Sequence, residues 1–348
     1  MTDMKIGNFN INNESPVFII AELSANHNGR LEIALETVRA AKRAGANCIK
    51  LQTYTADTIT LNVNSEDFQI NDTIWSGQTL YNLYKEAYTP WEWHDEIMKL
   101  AKEEGLECFS SPFDISSVDF LETLNVPAYK IASFEITDIP LIEYVASKQK
   151  PIIISTGIAT LEDIQLAIEA CKSVGNEQII LLKCTSSYPA PIEEANLTMI
   201  EEYSKQFNVY SGLSDHTMGS LAPLVATSLG AKVIEKHFIL DRNIGGPDAS
   251  FSMNEGEFKE MVSQVRIAEK SIGKVDFTIT KKQENSRKFS RSLYVSDIIN
   301  KGDIITKNNI RSVRPGYSLH PKYLNEILGK KSLRTMQVGD RITLNDFE

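Results

Sequence analysis

Eight short apolar runs, separated by amphipathic stretches, constrain the fold of this 348-residue chain more than any other feature of its sequence. Most of these runs are continuously apolar, which is typical of parallel strands that are buried on both faces. The predicted strands are 17–22, 48–53, 107–112, 128–133, 151–156, 179–185, 209–216 and 232–238. Helices are predicted at 31–44, 90–104, 160–175, 220–229 and 254–272. Strands that alternate with helices over about 270 residues favour a (β/α)8 TIM barrel, and a doubly wound open sheet is the alternative.

A small second domain is predicted after residue 273, where the alternation of strands and helices stops. Residues 274–288 are charged and lack periodicity, so we interpret them as a linker between a catalytic domain (1–273) and a C-terminal domain (289–348). The C-terminal domain contains two similar decamers, KGDIITKNNI at 301–310 and VGDRITLNDF at 338–347. This repeat predicts a compact, pseudo-symmetric domain of short strands and turns. In the first domain, the long polar insertion at 60–88 is predicted to form a lid or an edge of the functional site.

Composition narrows the classes of function. The formal net charge of −10 makes nucleic acid an unexpected partner. The N-terminal residues are polar and no apolar run approaches the ~18 residues of a membrane span, so the sequence predicts a cytoplasmic protein without a signal peptide. The four cysteines form no CxxC pair and are predicted to be buried, reduced thiols rather than zinc ligands.

Polar side chains collect at the C-terminal ends of the predicted strands, where the functional site of a parallel barrel lies. Lys50 and Lys130 stand inside apolar strands, and a buried lysine is costly unless it meets an anion. The serines at neighbouring strand ends are Ser111, Ser133, Ser155 and Ser214. Together the lysines and serines predict a pocket for phosphate and carboxylate groups. A lysine that forms a Schiff base is the competing interpretation.

Two histidines occupy the ends of adjacent predicted strands. His216 and His237 predict a divalent metal site, although a single buried histidine is more often an ordinary core residue. Two imidazoles leave several positions for water and substrate, an arrangement that suits Mn2+, with Mg2+ or Co2+ as alternatives, better than a closed structural zinc site. Another histidine, His94, lies in a predicted helix and is expected at the surface.

With these residues in view, the sequence resembles the sialic acid synthase family. The matching strings are IAELSANHNG (20–29), IKLQTY (49–54), FSSPFD (109–114), YKIASFE (129–135), STGIAT (155–160), LKCTSSYPAP (182–191), GLSDH (212–216), EKHF (235–238) and GGPD (245–248). From about Phe289 to its end, the chain resembles the family's C-terminal antifreeze-like (SAF) domain. The resemblance implies a barrel enzyme that condenses phosphoenolpyruvate with a sugar aldehyde.

The resemblance also implies roles for particular residues. Glu22 would handle the protons of an attacking water, Glu135 would position that water or the sugar, and a metal on His216 and His237 would polarise the aldehyde. The residues implied to hold phosphoenolpyruvate are Lys50, Ser111, Lys130, Ser133, Ser155 and Ser214. The residues implied to contact the sugar are Gln52, Tyr188, Asp248 and, from the C-terminal domain, Arg314. The enzyme is expected to be a homodimer in which the C-terminal domain of one subunit covers the barrel of its partner.

Several of the matching strings depart from the branch of the family that makes neuraminic acid. ELSANH stands where that branch tends to have EIGVNH, SFE stands for SGE, and LKCTSSYP stands for LHCTN-x-YP. Phe134, in place of glycine, offers an apolar wall to a methyl group and predicts a 6-deoxy sugar with two acetamido groups. The alternatives are a legionaminic or neuraminic acid product, a Schiff-base aldolase, and a carbohydrate- or ice-binding protein.

Overall fold

The computed structural model describes residues 1, 3–71 and 73–348, and it divides into two compact units, 1–273 and 274–348. The first unit contains a closed barrel of eight parallel strands, which confirms the predicted (β/α)8 fold. Its strands are β3 (Phe18–Glu22), β4 (Cys48–Thr53), β5 (Glu107–Pro112), β6 (Tyr129–Ile131), β7 (Ile152–Ser155), β8 (Ile179–Cys184), β9 (Tyr210–Asp215) and β10 (Val233–His237). Parallel pairing of β10 with β3 closes the barrel.

The register of the strands places polar residues side by side at the C-terminal end of the barrel. Glu22 of β3 is level with Lys50 of β4, and Ser214 of β9 is level with Glu235 of β10. Residues at the same level of neighbouring parallel strands point to the same face. The pairing therefore turns four separate chain positions into neighbours inside the barrel.

Helices surround the barrel and follow most of its strands. They are α1 (Leu31–Ala44), α2 (Ala56–Ile59), α3 (Leu80–Ala87), α4 (His94–Glu103), α5 (Ile115–Thr123), α6 (Ile139–Ser147), α7 (Leu161–Ser173), α8 (Met199–Phe207), α9 (Leu221–Ser228) and α10 (Glu255–Ile272). Side-chain hydrogen bonds cap the N-terminal ends of several helices. Thr160 accepts a hydrogen bond from the Asp163 N–H in α7, and Asn254 accepts one from the Glu257 N–H in α10. Gly45, with φ of 89°, ends α1 in the left-handed conformation. No helix in the described part of the chain is long and apolar enough to cross a bilayer.

An N-terminal hairpin that the sequence did not predict packs against the barrel. Its strands are β1 (Met4–Ile6) and β2 (Phe9–Ile11). Ile6 and Ile11 are fully buried, and the ring of Phe9 lies 4.9 Å from that of Phe18 at the start of β3. The Asn8 N–H also bonds to Glu107 at the start of β5. The hairpin therefore covers the N-terminal end of the barrel, opposite the polar strand ends.

The second unit is a small domain with its own apolar core. It contains α11 (Lys281–Arg287), β11 (Ser292–Val295), β12 (Ile310–Val313) and α12 (Leu324–Ile327), and β11 pairs with β12 in antiparallel orientation. Its core includes Leu293, Ile299 and Met336. Residues 274–288, which the sequence presents as a linker, are exposed and include α11.

The two decamers of the second unit adopt the same turns. The matching hydrogen bonds are Asn300 N–H to Asp303 (2.7 Å) with Gln337 N–H to Asp340 (2.8 Å), and Thr306 N–H to Asn309 (2.8 Å) with Thr343 N–H to Asp346 (2.6 Å). Gly302 and Gly339 lie at equivalent places with φ of 91° and 90°. The sequence repeat is therefore also a structural repeat.

Candidate active site

A buried polar cluster lies at the C-terminal end of the barrel, centred on Lys50. Its Nζ atom is 2.6 Å from Glu22 Oε2 and donates a hydrogen bond to Ser111 Oγ at 3.2 Å. Gln52 donates to Glu22 Oε1 and to Ser24 Oγ, both at 3.0 Å. Four of the residues that the sequence singled out, together with Ser24, thus form one connected network.

Lys130 forms the second cationic centre of the cluster. Its Nζ atom donates to Ser155 Oγ at 2.6 Å and to the Ile131 carbonyl at 3.0 Å. Ser133 lies at the end of β6, where its Oγ accepts the Gly157 N–H at 3.1 Å. Both lysines are at most 3% exposed, so their charges are held away from bulk water.

Glu235 connects the two lysines and is the main residue absent from the predicted site. Its Oε1 atom lies 3.9 Å from the Nζ atoms of Lys50 and Lys130, and it accepts a hydrogen bond from Ser214 at 3.1 Å. The sequence carried a signal for it, because Glu235 stands two residues before His237 and so shares its face of the strand.

The electrostatics of the cluster favour an anionic ligand. Burial raises the pKa of Glu22 to about 7, although Lys50 opposes the rise. Burial alone would also raise the pKa of Glu235, but Lys130 and Lys50 together hold it below its ordinary value. When Glu22 carries a proton, the two ammonium groups face one carboxylate. The pocket then has an excess positive charge inside an acidic protein.

A wider, partly apolar cavity of 720 Å³ adjoins this part of the barrel unit. Its lining includes Phe134, which is 58% exposed, the half-buried ring of Tyr188, and Trp75 from the predicted edge-forming insertion. The rings of Trp75 and Tyr188 lie 5.4 Å apart, and Trp75 Nε1 donates to the Pro247 carbonyl at 3.0 Å. Phe134 and Tyr188 were predicted, whereas Trp75 was not singled out because nothing in the sequence pairs residues 75 and 247.

Other predicted site residues lie around these two regions. Glu135 belongs to the short 3-10 helix 133–135, and burial raises its pKa to about 7 while Lys130 opposes the rise. Asp248 is buried beside His237, with 3.6 Å between its Oδ2 atom and the Nδ1 atom of the imidazole. Arg314 belongs to the second unit, where it follows β12 and is exposed.

His216 and His237 lie side by side, with ring centroids 5.4 Å apart. His216 Nδ1 donates to the Thr185 carbonyl at 2.9 Å, so the proton is on Nδ1 and the Nε2 atom is free to bind a ligand. His237 Nδ1 is buried and has no hydrogen-bond partner within the described part of the chain. These two features fit a metal ion, but the described residues contain no cluster of three or more His, Cys, Asp or Glu that could hold one. A metal at this position would therefore need oxygen atoms from water or substrate.

One expectation about histidine was wrong. His94 is fully buried rather than at the surface, and its Nε2 atom bonds to Thr53 Oγ1 at 2.8 Å. The helix that carries His94 packs its N-terminal turn against the barrel. The buried imidazole therefore forms a hydrogen bond with a hydroxyl group instead of with water.

Comparison with protein families agrees with the barrel and the second domain. Residues 37–277 match the NeuB family, and residues 290–348 match the SAF domain. The chain therefore belongs to the NeuB family and carries a C-terminal SAF domain. This result confirms the resemblance read from the strand-end motifs.

Individual relatives narrow the comparison. The chain is 49% identical over 344 residues to a pseudaminic acid synthase of Campylobacter jejuni subsp. jejuni serotype O:23/36, covering 99% of this chain and 100% of that protein. It is 37% identical to an N,N'-diacetyllegionaminic acid synthase of Legionella pneumophila, covering 95% and 94%. Among solved structures, it is similar to the spore coat polysaccharide biosynthesis protein SpsE of Bacillus subtilis, with a TM-score of 0.68, 32% identity and coverage of 100% and 99%.

Proposed function

We propose that this protein is a pseudaminic acid synthase, which condenses phosphoenolpyruvate with 2,4-diacetamido-2,4,6-trideoxy-L-altrose and releases phosphate. The observation that carries this proposal is the 49% identity over essentially the whole length of a pseudaminic acid synthase, against 37% for a legionaminic acid synthase. Phe134 at the cavity supports the same assignment, because an apolar wall favours a sugar that has a methyl group at C6.

The buried cluster suits the chemistry of this condensation. Lys50 and Lys130, with the serines around them, bind the phosphate and carboxylate of phosphoenolpyruvate. C3 of phosphoenolpyruvate attacks the aldehyde carbon, water adds at C2, and cleavage of the C2–O bond releases phosphate. Glu22, whose pKa of about 7 allows it to hold or release a proton, accepts a proton from that water.

We propose that His216 and His237 hold a divalent ion, with Mn2+ preferred. When bound, the ion supplies a Lewis acid for the sugar aldehyde. The free Nε2 atom of His216 and the unpartnered Nδ1 atom of His237 support this proposal. Asp248, beside His237, and Gln52, beside Glu22, orient the sugar hydroxyl and amide groups.

We further propose a homodimer in which the SAF domain of one subunit covers the barrel of its partner, with Arg314 over the sugar. Charge supports this arrangement. Residues 274–348 contain 15 Lys and Arg against 8 Asp and Glu, a net charge of +7, so residues 1–273 carry −17 of the total of −10. Opposite charges of this size favour association between the two kinds of unit.

A substrate panel tests the function directly. The purified enzyme is incubated with phosphoenolpyruvate, Mn2+ and one of three sugars: the altrose derivative, the legionaminic acid precursor or N-acetylmannosamine. We expect phosphate release and a nine-carbon acid of the correct mass, fastest with the altrose derivative. Faster turnover of either other sugar would contradict the assignment. Trapping of a lysine by borohydride in the presence of pyruvate would instead indicate a Schiff-base aldolase.

A further inference from the structure

A buried ion pair on the outer face of the barrel has no part in the chemistry described above. Lys236 Nζ lies 2.5 Å from Asp215 Oδ2, and the two side chains are 2% and 1% exposed. The two residues are directly opposite each other in the pairing of β10 with β9. Each immediately precedes one of the two site histidines, His237 and His216. The pair and the histidines thus occupy neighbouring positions at the same two strand ends.

The pair also fixes the turn that follows β9. Lys236 Nζ donates to the Thr217 carbonyl at 2.6 Å, and the Thr217 N–H donates to Asp215 Oδ1 at 2.9 Å. The residues on both sides of His216 are therefore tied to one ammonium group. That group belongs to the strand that carries His237.

On the inner side of the same strand ends, hydrogen bonds restrain the histidines less. His216 is held by its bond to the Thr185 carbonyl and packs on Tyr188 at 4.3 Å between ring centroids, whereas His237 packs on Phe251 at 5.0 Å and its Nδ1 atom has no hydrogen-bond partner among the described residues. Successive residues of a strand point to opposite faces, so a contact on the outer face sets the direction of the next residue on the inner face. The relative placement of the two imidazoles thus depends on how firmly the outer pair joins β9 to β10.

Stability alone gives no reason for charges at this place. Removing two charges from water is costly, and an apolar pair of similar volume is often as stable or more stable. A fixed set of hydrogen bonds does, however, define geometry more narrowly than apolar packing does. We propose that Lys236 and Asp215 are positioning residues, which hold His216 and His237 at the separation and orientation that the site requires. That the two histidines bind a divalent ion rests on the proposed function.

The test uses the full-length double variant Asp215→Asn/Lys236→Met, which removes both charges and keeps an acceptor for the Thr217 N–H. In the metal-free protein, ¹⁵N chemical shifts of the five histidines report which ring nitrogen carries the proton. We expect the wild-type His216 to show the Nδ1–H form and the double variant to show an averaged signal. Mn2+ affinity, measured by titration, is expected to fall about 10- to 100-fold. We expect kcat to decrease while KM for phosphoenolpyruvate changes less than about threefold, because other residues form the phosphoenolpyruvate pocket.

A folded double variant with wild-type histidine shifts and wild-type Mn2+ affinity would overturn the proposal. If the double variant does not fold, Asp215→Asn alone decides, and unchanged histidine shifts in that variant overturn the proposal equally. The control is Arg242→Met/Glu257→Gln, which removes a partly exposed ion pair next to the same strand and should leave the histidine shifts unchanged. If the wild-type protein and His216→Ala bind Mn2+ equally, the metal assignment fails, and the histidine shifts still decide the role of the pair.

Discussion

At the scale of single residues, the buried carboxyl group of Glu135 makes the stability of the protein depend on pH. Its Oε2 atom is buried and finds no hydrogen-bond partner in residues 1, 3–71 and 73–348, and burial raises its pKa to about 7 from 4.5. Between these two values the folded protein binds a proton more tightly than the unfolded chain does. The contribution of Glu135 to stability is therefore favourable at low pH and is lost as the pH rises through this window.

Glu135→Gln is thus expected to stabilise the protein at neutral pH while it abolishes turnover. The difference in the free energy of unfolding should be near zero at about pH 4, below both pKa values, and should reach at most about 3 kcal/mol at about pH 7.5. Urea unfolding of both proteins at the two pH values measures it. Glu143→Gln, on the exposed face of α6, controls for the loss of a carboxylate. Parallel pH profiles for wild type and Glu135→Gln would show that Glu135 does not titrate in this range.

Lys130 is expected to act mainly on phosphoenolpyruvate. Lys130→Met should raise KM for phosphoenolpyruvate about 100-fold, because a charge-assisted hydrogen bond contributes about 2–3 kcal/mol. KM for the sugar should change much less. Lys150→Met is the matched control, since Lys150 pairs with Glu122 at the opposite end of β7. Steady-state kinetics with each substrate varied separately distinguish the two effects, and equal changes in both KM values would contradict the assignment.

Phe134 is expected to select the 6-deoxy sugar. Phe134→Gly removes the apolar wall, so the preference for the altrose derivative over N-acetylmannosamine, expressed as a ratio of kcat/KM values, should fall about 5- to 30-fold, which corresponds to about 1–2 kcal/mol. Phe134→Leu keeps an apolar side chain and should retain most of the preference. A ratio that Phe134→Gly leaves unchanged would mean that the ring does not meet the sugar.

At the scale of elements, the insertion 60–88 bonds to the segment that follows β10 through Trp75 Nε1 and the Pro247 carbonyl, and to α2 through the Tyr81 hydroxyl and Asp57. Trp75→Phe removes the bond to Pro247 but keeps an aromatic wall. KM for the sugar should rise about 5- to 10-fold, in line with about 1 kcal/mol for one hydrogen bond, while KM for phosphoenolpyruvate stays unchanged. A variant with wild-type KM values for both substrates would show that the bond does not order the insertion during catalysis.

The same scale shows what the sequence can and cannot predict. The barrel strands were predictable because each is a continuous apolar run, and observed ends such as Cys48–Thr53 and Glu107–Pro112 match the prediction. Three nine-residue helices, α5, α6 and α8, were not predicted, because their signals are short and α5 begins with an unusual Asp114–Ser117 capping pair. The N-terminal hairpin was missed because strands of three residues leave almost no periodicity.

Within the site, the sequence revealed those residues whose burial has an evident cost in free energy. Lysines in apolar strands require a partner, so Lys50 and Lys130 were predictable from burial alone. Glu235 also stands at the end of a strand, but only the closed barrel brings it within 3.9 Å of both lysines. Contacts that cross the barrel depend on closure, which no local pattern in the sequence encodes.

At the scale of the whole molecule, the proposed homodimer makes a site from two chains, so two inactive variants should complement each other. Glu22→Gln removes a catalytic group of the barrel, and Arg314→Ala removes the side chain of the C-terminal domain that is proposed to lie over the sugar. Each variant alone should be nearly inactive. In a mixed dimer, one composite site collects both lesions and the other has neither. After subunit exchange with random pairing, the mixture should recover up to about a quarter of wild-type activity.

The measurement is turnover before and after exchange, with exchange itself verified by mass spectrometry of differently tagged chains. Mixing two barrel variants, Glu22→Gln with Lys130→Met, is the control and should recover nothing, because both lesions lie in the same unit. Proven exchange without recovery in the first mixture would favour a C-terminal domain that serves its own chain.

The repeated turn of the C-terminal domain places two glycines in equivalent positions of one chain, so the same substitution can be made at each and the effects compared. Gly302 and Gly339 have nearly identical backbone angles, and a methyl group added at either meets open space. Alanine at either position should therefore impose the same backbone strain, about 1–2 kcal/mol. Any inequality between the two variants must arise from what surrounds each copy. The duplicated decamer thus allows an interaction made by only one half of the domain to be detected by subtraction within a single molecule.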